Sequence, residues 1–379
     1  MRKLLVILSG NALEFYSFMI FIYFIDYIRS FIFGEFYIDE AIASIYTYGL
    51  GFAGYISRPL GALCIGHFFD TRDKGWVLNY SIILTSFVTL LIPLNPFPPG
   101  IISVLYIIIL RFFQGMLISG EEGGAAVILS EMLNDKKYLA SSLVLSSVFF
   151  GILIGSAVNH FMRSIGSEAF LHSIGWKIPF MIPLPMSLII FFFREKYDIR
   201  SLSKRNFYSF TAIPMFAKHW EKIIKLIIIC SAYASLTCFM VVYIPNHVNV
   251  SFDRGMFTFS LMIVMLFIPF FGYLSDKYTG HNVLQLSLLL TIVLSPVWTF
   301  SIYSNSYIYS VFGFILFSIL VSGVSAPLLS MLVQYFGDDV KCSGVSFVFN
   351  ASISIFSGLF PIVALFLRKY FASEFMPIF

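Results

Sequence analysis

Residues 109–133 read ILRFFQGMLISGEEGGAAVILSEML, and this stretch decides the class of fold. It is long enough to cross a bilayer as a helix, which needs about 20 residues. It nevertheless carries Arg111, Glu121 and Glu122. A charge at the bilayer centre costs about 2.5–3.5 kcal/mol on insertion scales, so such residues face protein or a wet cavity and indicate function. The segment therefore predicts a membrane helix inside a bundle of several helices.

The composition extends this prediction to the whole chain. Of its 379 residues, 59% are hydrophobic and 12% are charged, and the mean hydropathy is +0.88. A soluble domain carries about 25% charged residues, and a disordered chain has low hydrophobicity with high net charge, so both classes are disfavoured. The cysteines Cys64, Cys230, Cys238 and Cys342 form no CxxC or CxxxC pair. We expect no metal site, no disulfide framework and no cofactor.

Eleven apolar runs follow one another along the chain, each too long for the roughly ten-residue strands of a membrane barrel. Helices and closed barrels are the two structures that satisfy all backbone hydrogen bonds within a bilayer. We therefore predict an all-α polytopic membrane protein. Its eleven visible spans are predicted at residues 3–28, 43–68, 76–94, 101–130, 138–162, 176–193, 223–246, 256–275, 283–303, 307–334 and 343–368.

Lysine and arginine are unequally shared between the loops on the two sides of the membrane. With the N-terminus inside, 16 of them lie on that side and 6 on the other, while Arg58 and Arg111 fall within spans. Cytoplasmic loops are enriched in these residues, so the N-terminus is predicted to be cytoplasmic. The longest polar stretch, from Arg194 to Lys225, separates six spans from five. We predict an N-terminal six-helix bundle at 1–195, a cytoplasmic linker at 196–221, and a C-terminal bundle of five spans plus a short tail at 222–379.

A short sequence pattern occurs once in each half. GHFFDTRDKG begins at Gly66 after the second span, and GYLSDKYTGH begins at Gly272 after the eighth. Each places an aspartate four residues after its glycine, Asp70 and Asp276, with an offset of 206 residues. Two half-molecules of matched topology are a common feature of secondary transporters.

The fourth span concentrates its polar residues on one face. On a continuous helix turning 100° per residue, Arg111, Gln114 and Glu122 share a stripe, while Glu121 points about 80° away from Arg111. Two interpretations remain open for these acids. They form a purely structural ion pair with Arg58 or Arg111, or they handle a substrate or a proton.

Small residues recur every four positions in the fourth and fifth spans. They include Gly115 and Gly123 in the fourth span and Gly151 and Gly155 in the fifth. Small residues at this spacing let membrane helices approach closely. We therefore predict that these two spans cross each other along their glycines.

Several blocks of the sequence resemble the metabolite:proton symporters of the major facilitator superfamily, a group with proline/betaine, 2-oxoglutarate, citrate and shikimate carriers. The blocks follow the family order over most of the chain, and the C-terminal MPIF resembles the proline/betaine branch. The matching blocks are GNALEFYSF (10–18), SRPLGALCIGHFFD (57–70), RFFQGMLISGEEGGA (111–125), GWKIPF (175–180), YIPNHV (243–248) and CSGVSFVFNASISIFSGLFP (342–361).

The resemblance implies two six-helix bundles around a central cavity that opens alternately to each side, with roles for the matched residues. Arginines there would counter a substrate carboxylate, acids would carry a proton or bind an ammonium group, and the two loop aspartates would pair with basic groups or cap a helix. The implied substrate-binding residues are Asn11, Arg58, Arg111, Gln114 and Asn350, and the proton-coupling residues are Glu14, Glu121 and Glu122. The implied gating residues are Asp70, Arg72, Asp276 and Lys277, and the helix-packing residues are Gly115, Gly123, Gly151, Gly155 and Gly358.

The function implied is secondary active transport, with proton-coupled uptake of a small osmolyte or organic acid of the proline/betaine or 2-oxoglutarate/citrate type. The loops after Asp70 and Asp276 depart from the family's basic pattern, and two further features depart from it as well. Ser17 replaces an aspartate of the first helix, and only eleven residues follow Arg368, so we expect the family's twelfth helix to be missing. The alternatives are an uncoupled facilitator or exchanger, or a truncated remnant of the same fold that does not transport. An enzyme is not expected, since no HExxH or GxSxG motif occurs.

The remaining expectations concern partners and location. A transporter of this kind would interact with a small solute, with protons and with the lipid bilayer. We expect a monomer that binds no nucleic acid. The resemblance places it in the inner (plasma) membrane of a bacterium, as a multi-pass protein.

Overall fold

The computed structural model describes residues 2–34, 49–197, 210–244, 254–303, 306–358 and Val363, and no strand occurs among them. The prediction of an all-α protein is therefore confirmed. The helices are α1 (Arg2–Tyr23), α2 (Ile25–Phe33), α3 (49–56), α4 (Arg58–Thr71), α5 (Lys74–Leu91), α6 (Ile101–Ile118), α7 (Glu121–Met132), α8 (Lys137–Ile165), α9 (Glu168–Ser173), α10 (Ile178–Met181), α11 (Pro183–Lys196), α12 (Ala212–Cys238), α13 (Arg254–Tyr278), α14 (Gly280–Val293), α15 (Ser295–Ile302), α16 (Tyr307–Ser325), α17 (Leu328–Tyr335) and α18 (Lys341–Ser352).

Within the described ranges, eight helices are long and apolar enough to cross a membrane, and a ninth span forms if α14 and α15, bent by 56°, are counted together. The count of eleven predicted from the sequence differs at the second and eleventh spans. The described helices there, α4 and α18, have 14 and 12 residues. Both predicted spans, 43–68 and 343–368, extend into parts of the chain outside the described residues.

The fourth span is interrupted where α6 ends at Ile118 and α7 begins at Glu121. The two residues of this break, Ser119 and Gly120, form a turn. A Cβ at Gly120 would lie 2.1 Å from Cγ2 of Ile65, so the break packs tightly against α4. Glu121 and Glu122 therefore occupy the first turn of a new helix, where the partial positive charge of the backbone N–H groups favours carboxylates.

Two matched helix pairs join the N-terminal half (residues 2–197) to the C-terminal half (residues 210–358). Helix α4 packs on α18, and α8 packs on α13. The repeated glycines make both approaches possible: a Cβ on Gly66 would lie 2.7 Å from Cα of Ser343, and one on Gly272 would lie 2.1 Å from Oγ of Ser142. The precise bundle boundaries at 1–195 and 222–379 stay a prediction.

The glycine stripes of the fourth and fifth spans do not face each other, so that prediction is wrong, although α7 and α8 are in contact. The glycines of both stripes pack against other helices instead. An added Cβ would come closest to O of Gly54 at Gly115 (1.9 Å), Oγ of Ser346 at Gly123 (2.1 Å), O of Ala12 at Gly151 (2.1 Å), the Tyr23 ring at Gly155 (3.1 Å) and the Phe52 ring at Gly358 (2.8 Å).

Candidate functional site

A cavity of about 60 Å³ lies between the two halves. Its N-terminal wall includes Arg58 of α4 and Glu122 of α7, and its C-terminal wall includes Tyr233, Thr237 and Cys238 of α12. Most of the remaining lining is aromatic or aliphatic. A small number of polar groups in a mainly apolar wall is the usual composition of a small-molecule site. Both halves contribute, so a relative movement of the halves changes the cavity.

Arg58 and Glu122 are the charged residues of this cavity, with Nη1 and Oε2 4.0 Å apart. Their side chains are 2% and 1% exposed. Neither carboxylate oxygen of Glu122, nor Nε of Arg58, has a hydrogen-bond partner among the described residues. The guanidinium carbon of Arg58 lies over the Phe18 and Tyr55 rings at 4.7 and 5.3 Å. The pair is neutral overall and has free hydrogen-bonding capacity, so it can accommodate the charged groups of a solute.

A second group of buried charges lies within the N-terminal half, away from the cavity lining. Oε1 of Glu121 is 2.8 Å from Nη2 of Arg194, and Oε2 accepts a hydrogen bond from Ser81 Oγ at 3.0 Å. Glu14 accepts a hydrogen bond from Thr85 Oγ1 at 3.3 Å. The sequence interpretation placed Arg194 at the start of the polar linker, whereas α11 continues to Lys196 and the Arg194 side chain is 1% exposed.

Arg111 and Gln114 hold the backbone of α1 and do not line the cavity. Nη1 of Arg111 donates to O of Phe18 at 3.2 Å and to Oε1 of Gln114 at 2.6 Å. Nε2 of Gln114 donates to O of Ser17 at 2.9 Å and to Oγ1 of Thr89 at 2.7 Å. These bonds join α1, α5 and α6, so both residues act as supports for the helix that carries Phe18 to the cavity.

The two asparagines that the sequence suggested for substrate binding both bridge helices. Nδ2 of Asn11 donates to O of Val144 at 3.1 Å and to Oγ of Ser147 at 2.8 Å. Nδ2 of Asn350 donates to O of Ser119 at 2.8 Å, which is a carbonyl group at the break in the fourth span. Asn350 thus connects the C-terminal half to the residues next to Glu121 and Glu122.

The two repeated aspartates each cap a helix of the other half. Asp70 accepts hydrogen bonds from the backbone N–H groups of Cys342 and Ser343 at 2.8 and 3.0 Å, at the N-terminus of α18. Asp276 accepts them from Tyr138 and Leu139, both at 2.9 Å, at the N-terminus of α8. We call these contacts the first and second latch. Carboxylates at helix N-termini satisfy free N–H groups and complement the helix dipole.

The basic residues that follow the two latch aspartates in sequence differ in exposure to solvent. Arg72 and Lys277 are exposed, and Lys277 lies over the Tyr278 ring at 5.2 Å. Lys74, which the sequence interpretation did not select, is buried and forms a 2.6 Å ion pair with Glu131. In this structure, both aspartates therefore bind backbone N–H groups of the other half, and neither pairs with Arg72 or Lys277.

A chain of hydrogen bonds connects the first latch to the start of α12. Nδ1 of His67 accepts the backbone N–H of Thr211 at 3.3 Å, and Oγ1 of Thr211 lies 2.8 Å from Oγ of Ser343. Ser343 Oγ donates to Asp70 at 2.6 Å. Thr211 lies at the end of the connection between the halves, so that connection and the latch share one polar network.

The resemblance implies that the buried charges all serve one central cavity, and the structure differs from that expectation. Only Arg58 and Glu122 of that set line the cavity in this conformation, while Glu14, Glu121 and Arg111 are packed inside the N-terminal half. Within the described ranges, no group of three or more His, Cys, Asp or Glu residues is placed to hold a metal ion.

Comparison with known proteins agrees with this architecture. The family profile of the Major Facilitator Superfamily matches residues 7–370. The proline/betaine transporter of Escherichia coli strain K12 is 26% identical, over all of this chain and 80% of that protein. The glycine betaine/proline/ectoine/pipecolic acid transporter OusA of Dickeya dadantii strain 3937 is 27% identical, over 97% of this chain and 77% of that protein.

A solved structure gives the same fold at low sequence identity. The proton:xylose symporter XylE, bound to 6-bromo-6-deoxy-D-glucose, superposes with a TM-score of 0.74 at 12% identity. The alignment covers all of this chain and 92% of that chain. Membrane-spanning helices, a cavity between two halves and a family match over almost the whole sequence lead to one conclusion. The chain belongs to the Major Facilitator Superfamily and is a multi-pass membrane transporter, not an enzyme.

Proposed function

We propose that the protein takes up a small osmolyte or organic acid together with protons, by alternating access, across the plasma membrane of a bacterium. The observation that carries this proposal is the Arg58–Glu122 pair, which lies between the halves with unused hydrogen-bonding groups. A solute carboxylate would bind Arg58, because charge-assisted bonds to a guanidinium are strong and directional. The names of the curated relatives support a solute of the proline or betaine type.

Alternating access requires that one end of the cavity closes while the other opens. We propose that the two latches close one end in this conformation, because each ties a loop of one half to a helix of the other. The excess of Lys and Arg in the loops on the same side of the membrane as the N-terminus supports a cytoplasmic position for the latched end. Opening of that end would break both latches and expose the N-termini of α8 and α18 to water.

Proton coupling requires a carboxyl group whose protonation changes during the cycle. The candidates are Glu122 on the cavity and the Glu14–Glu121 group behind it, all of them buried. Burial of a carboxylate favours its neutral form unless a cation compensates its charge. Solute binding at Arg58 would weaken the compensation of Glu122, which provides a physical link between solute and proton.

The test is uptake into proteoliposomes that contain the purified protein. Labelled proline, glycine betaine, 2-oxoglutarate and citrate are each offered with and without an inward proton gradient. We expect gradient-dependent accumulation of at least one of these solutes, and empty liposomes are the control. Uptake of the same size without the gradient would overturn the coupling, and no uptake of any solute would overturn the transport proposal.

An uncoupled exchanger remains the second candidate, and Ser17 favours it. The family has an acid at this position, whereas the Ser17 hydroxyl donates to the carbonyl oxygen of Leu13 within its own helix at 2.7 Å. This side chain therefore offers no titratable group to a proton path. Exchange of internal for external solute that ignores the gradient would establish this candidate.

A further inference from the structure

The buried group formed by Glu14, Glu121 and Arg194 contains two acids and one base. The side chains of Glu14, Glu121 and Arg194 are 1%, 0% and 1% exposed. Arg194 pairs directly with Glu121, and it also donates to the backbone carbonyl oxygens of Ile7 and Leu78. One guanidinium group compensates one carboxylate. The second carboxyl would remain an uncompensated buried charge unless it carries a proton.

The hydrogen bonds of Glu14 lead to the same conclusion. Its Oε1 accepts one bond from Thr85, and its Oε2 has no hydrogen-bond donor among the described residues. Glu121 lies beside the same face of α1, because an added Cβ at Gly10, one helical turn before Glu14, would be 3.1 Å from Oε1 of Glu121. Two ionised carboxylates only accept hydrogen bonds and repel each other, whereas a carboxylic acid can donate to a carboxylate. A single proton shared by Glu14 and Glu121 supplies the missing donor.

Among the described residues, the other helices that pack on α1 bring no further charge to Glu14. Helix α5 provides the hydroxyl groups of Ser81 and Thr85, and α8 contacts α1 through the neutral pair of Asn11 with Ser147. The charged groups that act on Glu14 are Glu121 of α7 and Arg194 of α11. Arg111 of α6 directs Nη1 to Phe18 and Gln114, and its Nε and Nη2 have no hydrogen-bond partner among the described residues.

Gly10 makes the site possible from the side of α1. A Cβ at this position would lie 1.8 Å from Nη2 and 2.6 Å from Cζ of Arg194. The guanidinium group of Arg194 therefore packs directly against the backbone of α1 at Gly10, in the space that a side chain would occupy. Because Gly10 lies one helical turn before Glu14, the glycine and the acid belong to the same face of α1.

We propose that Glu14 and Glu121 form a one-proton site, positioned by Arg194 and separate from the solute cavity. The role of this site in transport rests on the proposed function, whereas the existence of the site does not. The first turn of α7 links the two sites, because Glu121 belongs to the proton site and the next residue, Glu122, belongs to the cavity. Loss or gain of the proton changes the attraction between Glu121 and Arg194, and a shift of this turn moves Glu122 relative to Arg58.

The direct test uses infrared spectroscopy of the purified protein at neutral pH, where a protonated carboxyl group has a separate carbonyl band. In Glu14→Gln and in Glu121→Gln, the intensity of this band should fall by the amount that one protonated carboxyl group contributes. The remaining acid then ionises, because Arg194 compensates its charge. Arg194→Gln should instead gain about as much again, since two acids without a cation both bind protons. Arg194→Lys should restore the wild-type intensity, because it keeps the positive charge.

The matched control is Asp26→Asn, which removes an exposed carboxylate near Arg163 and should leave the band unchanged. A band of wild-type intensity in both glutamine variants would overturn the proposal, as would an unchanged band in Arg194→Gln. Transport is measured on the same samples with labelled proline and glycine betaine. Glu14→Gln should keep solute exchange and lose accumulation driven by the proton gradient, so that the level with a gradient falls to the level without it.

The two readouts separate the failure of this site from the failure of the proposed function. The expected band changes together with absent transport of every solute would retain the proton site and reject the proposed function. Accumulation by Glu14→Gln equal to that of the wild type would reject the site's role in coupling. Gly10→Ala provides a second geometric test, because displacement of Arg194 should change the band in the same direction as Arg194→Gln.

Discussion

Glu121 and Glu122 are consecutive residues, and their carboxylates interact with different arginines in different places. Oε1 of Glu121 lies 2.8 Å from Arg194, whereas Oε2 of Glu122 lies 4.0 Å from Arg58. The break before α7 positions both acids in one helical turn. Residues that adjoin in sequence thus connect the interior of the N-terminal half to the cavity between the halves.

Replacement of Arg58 should weaken solute binding more than the removal of a positive charge elsewhere in the protein. We expect Arg58→Gln to raise the apparent Kd roughly ten- to hundredfold, because a hydrogen bond to a charged group contributes about 1.5–3 kcal/mol. Arg58→Lys should have a smaller effect, since it keeps the charge and loses the planar donor pair. The measurement is the solute concentration for half-maximal exchange, with Arg163→Gln as the charge-matched control. Equal values for all four proteins would exclude Arg58 from the solute site.

Loss of the first latch should open the closed end of the transporter. Asp70→Ala leaves the N–H groups of Cys342 and Ser343 without their acceptor, at a cost of about 1–3 kcal/mol when they are buried. A difference of about 1–3 kcal/mol changes a conformational ratio about 5–150-fold. We expect alkylation of Cys342, which is 1% exposed, to accelerate by that factor.

The reaction rates are measured with N-ethylmaleimide and peptide mass spectrometry, and the partly exposed Cys64 serves as the internal reference. Asp276→Ala should have a comparable effect through the second latch. Asp73→Ala is the matched control, because Asp73 caps Trp76 within the N-terminal half at 2.9 Å. An unchanged rate at Cys342 in both latch variants would show that the latches do not hold this end closed.

Thr211→Val should loosen the same latch by a smaller amount. The substitution keeps the shape of the side chain and removes the hydroxyl group that joins His67 to Ser343. One net hydrogen bond contributes about 0.5–1.5 kcal/mol, so the Cys342 rate should rise roughly two- to tenfold. Combined with Asp70→Ala, the increase should fall short of the product of the two effects, because both act on Ser343. Thr291→Val, whose bond lies within one helix, is the control; full multiplicativity would contradict a shared network.

Gly115→Ala should destabilise the fold. The added Cβ would lie 1.9 Å from the backbone oxygen of Gly54, so the helices must separate, at a cost of about 1–3 kcal/mol. Gly155→Ala is the matched comparison, because its nearest neighbour is the Tyr23 ring at 3.1 Å, which can shift. Thermal unfolding in detergent should show a clear loss of Tm for Gly115→Ala and little change for Gly155→Ala. Equal Tm values would mean that the close backbone contact is unimportant.

The sequence was sufficient to predict the fold class and the location of the latches. Apolar length and sparse charge determine a helical membrane protein, and the repeated pattern around Asp70 and Asp276 identified two corresponding positions. The cavity charges Arg58 and Glu122 could be selected because a charged side chain within a span is costly and is rarely present without a function. These inferences need only composition, spacing and order along the chain.

The rotation of each helix could not be predicted in the same way. The stripe from Arg111 to Glu122 predicts a shared face but not the neighbours of that face: Arg111 donates to the backbone of α1, whereas Glu122 lines the cavity. Arg194 ends an apolar run and precedes many basic residues, so its pattern is typical of a linker. The available signal was the surplus of buried acids in the N-terminal half, which required one more cation. The Arg194 side chain can contact Glu121 because Gly10 of another helix has no side chain in its way. Such a contact between distant parts of the chain cannot be predicted from a local pattern.

The most direct test of alternating access is the reaction of Cys238, whose side chain lines the cavity from the C-terminal half. A membrane-impermeant maleimide is applied to right-side-out and to inside-out vesicles, with and without the transported solute. If the cavity opens to each face in turn, Cys238 should react from both sides, and solute should slow or redistribute this reaction while Cys64 is unaffected. Reaction from one side only, with no effect of solute, would contradict a solute cavity that opens to each face in turn.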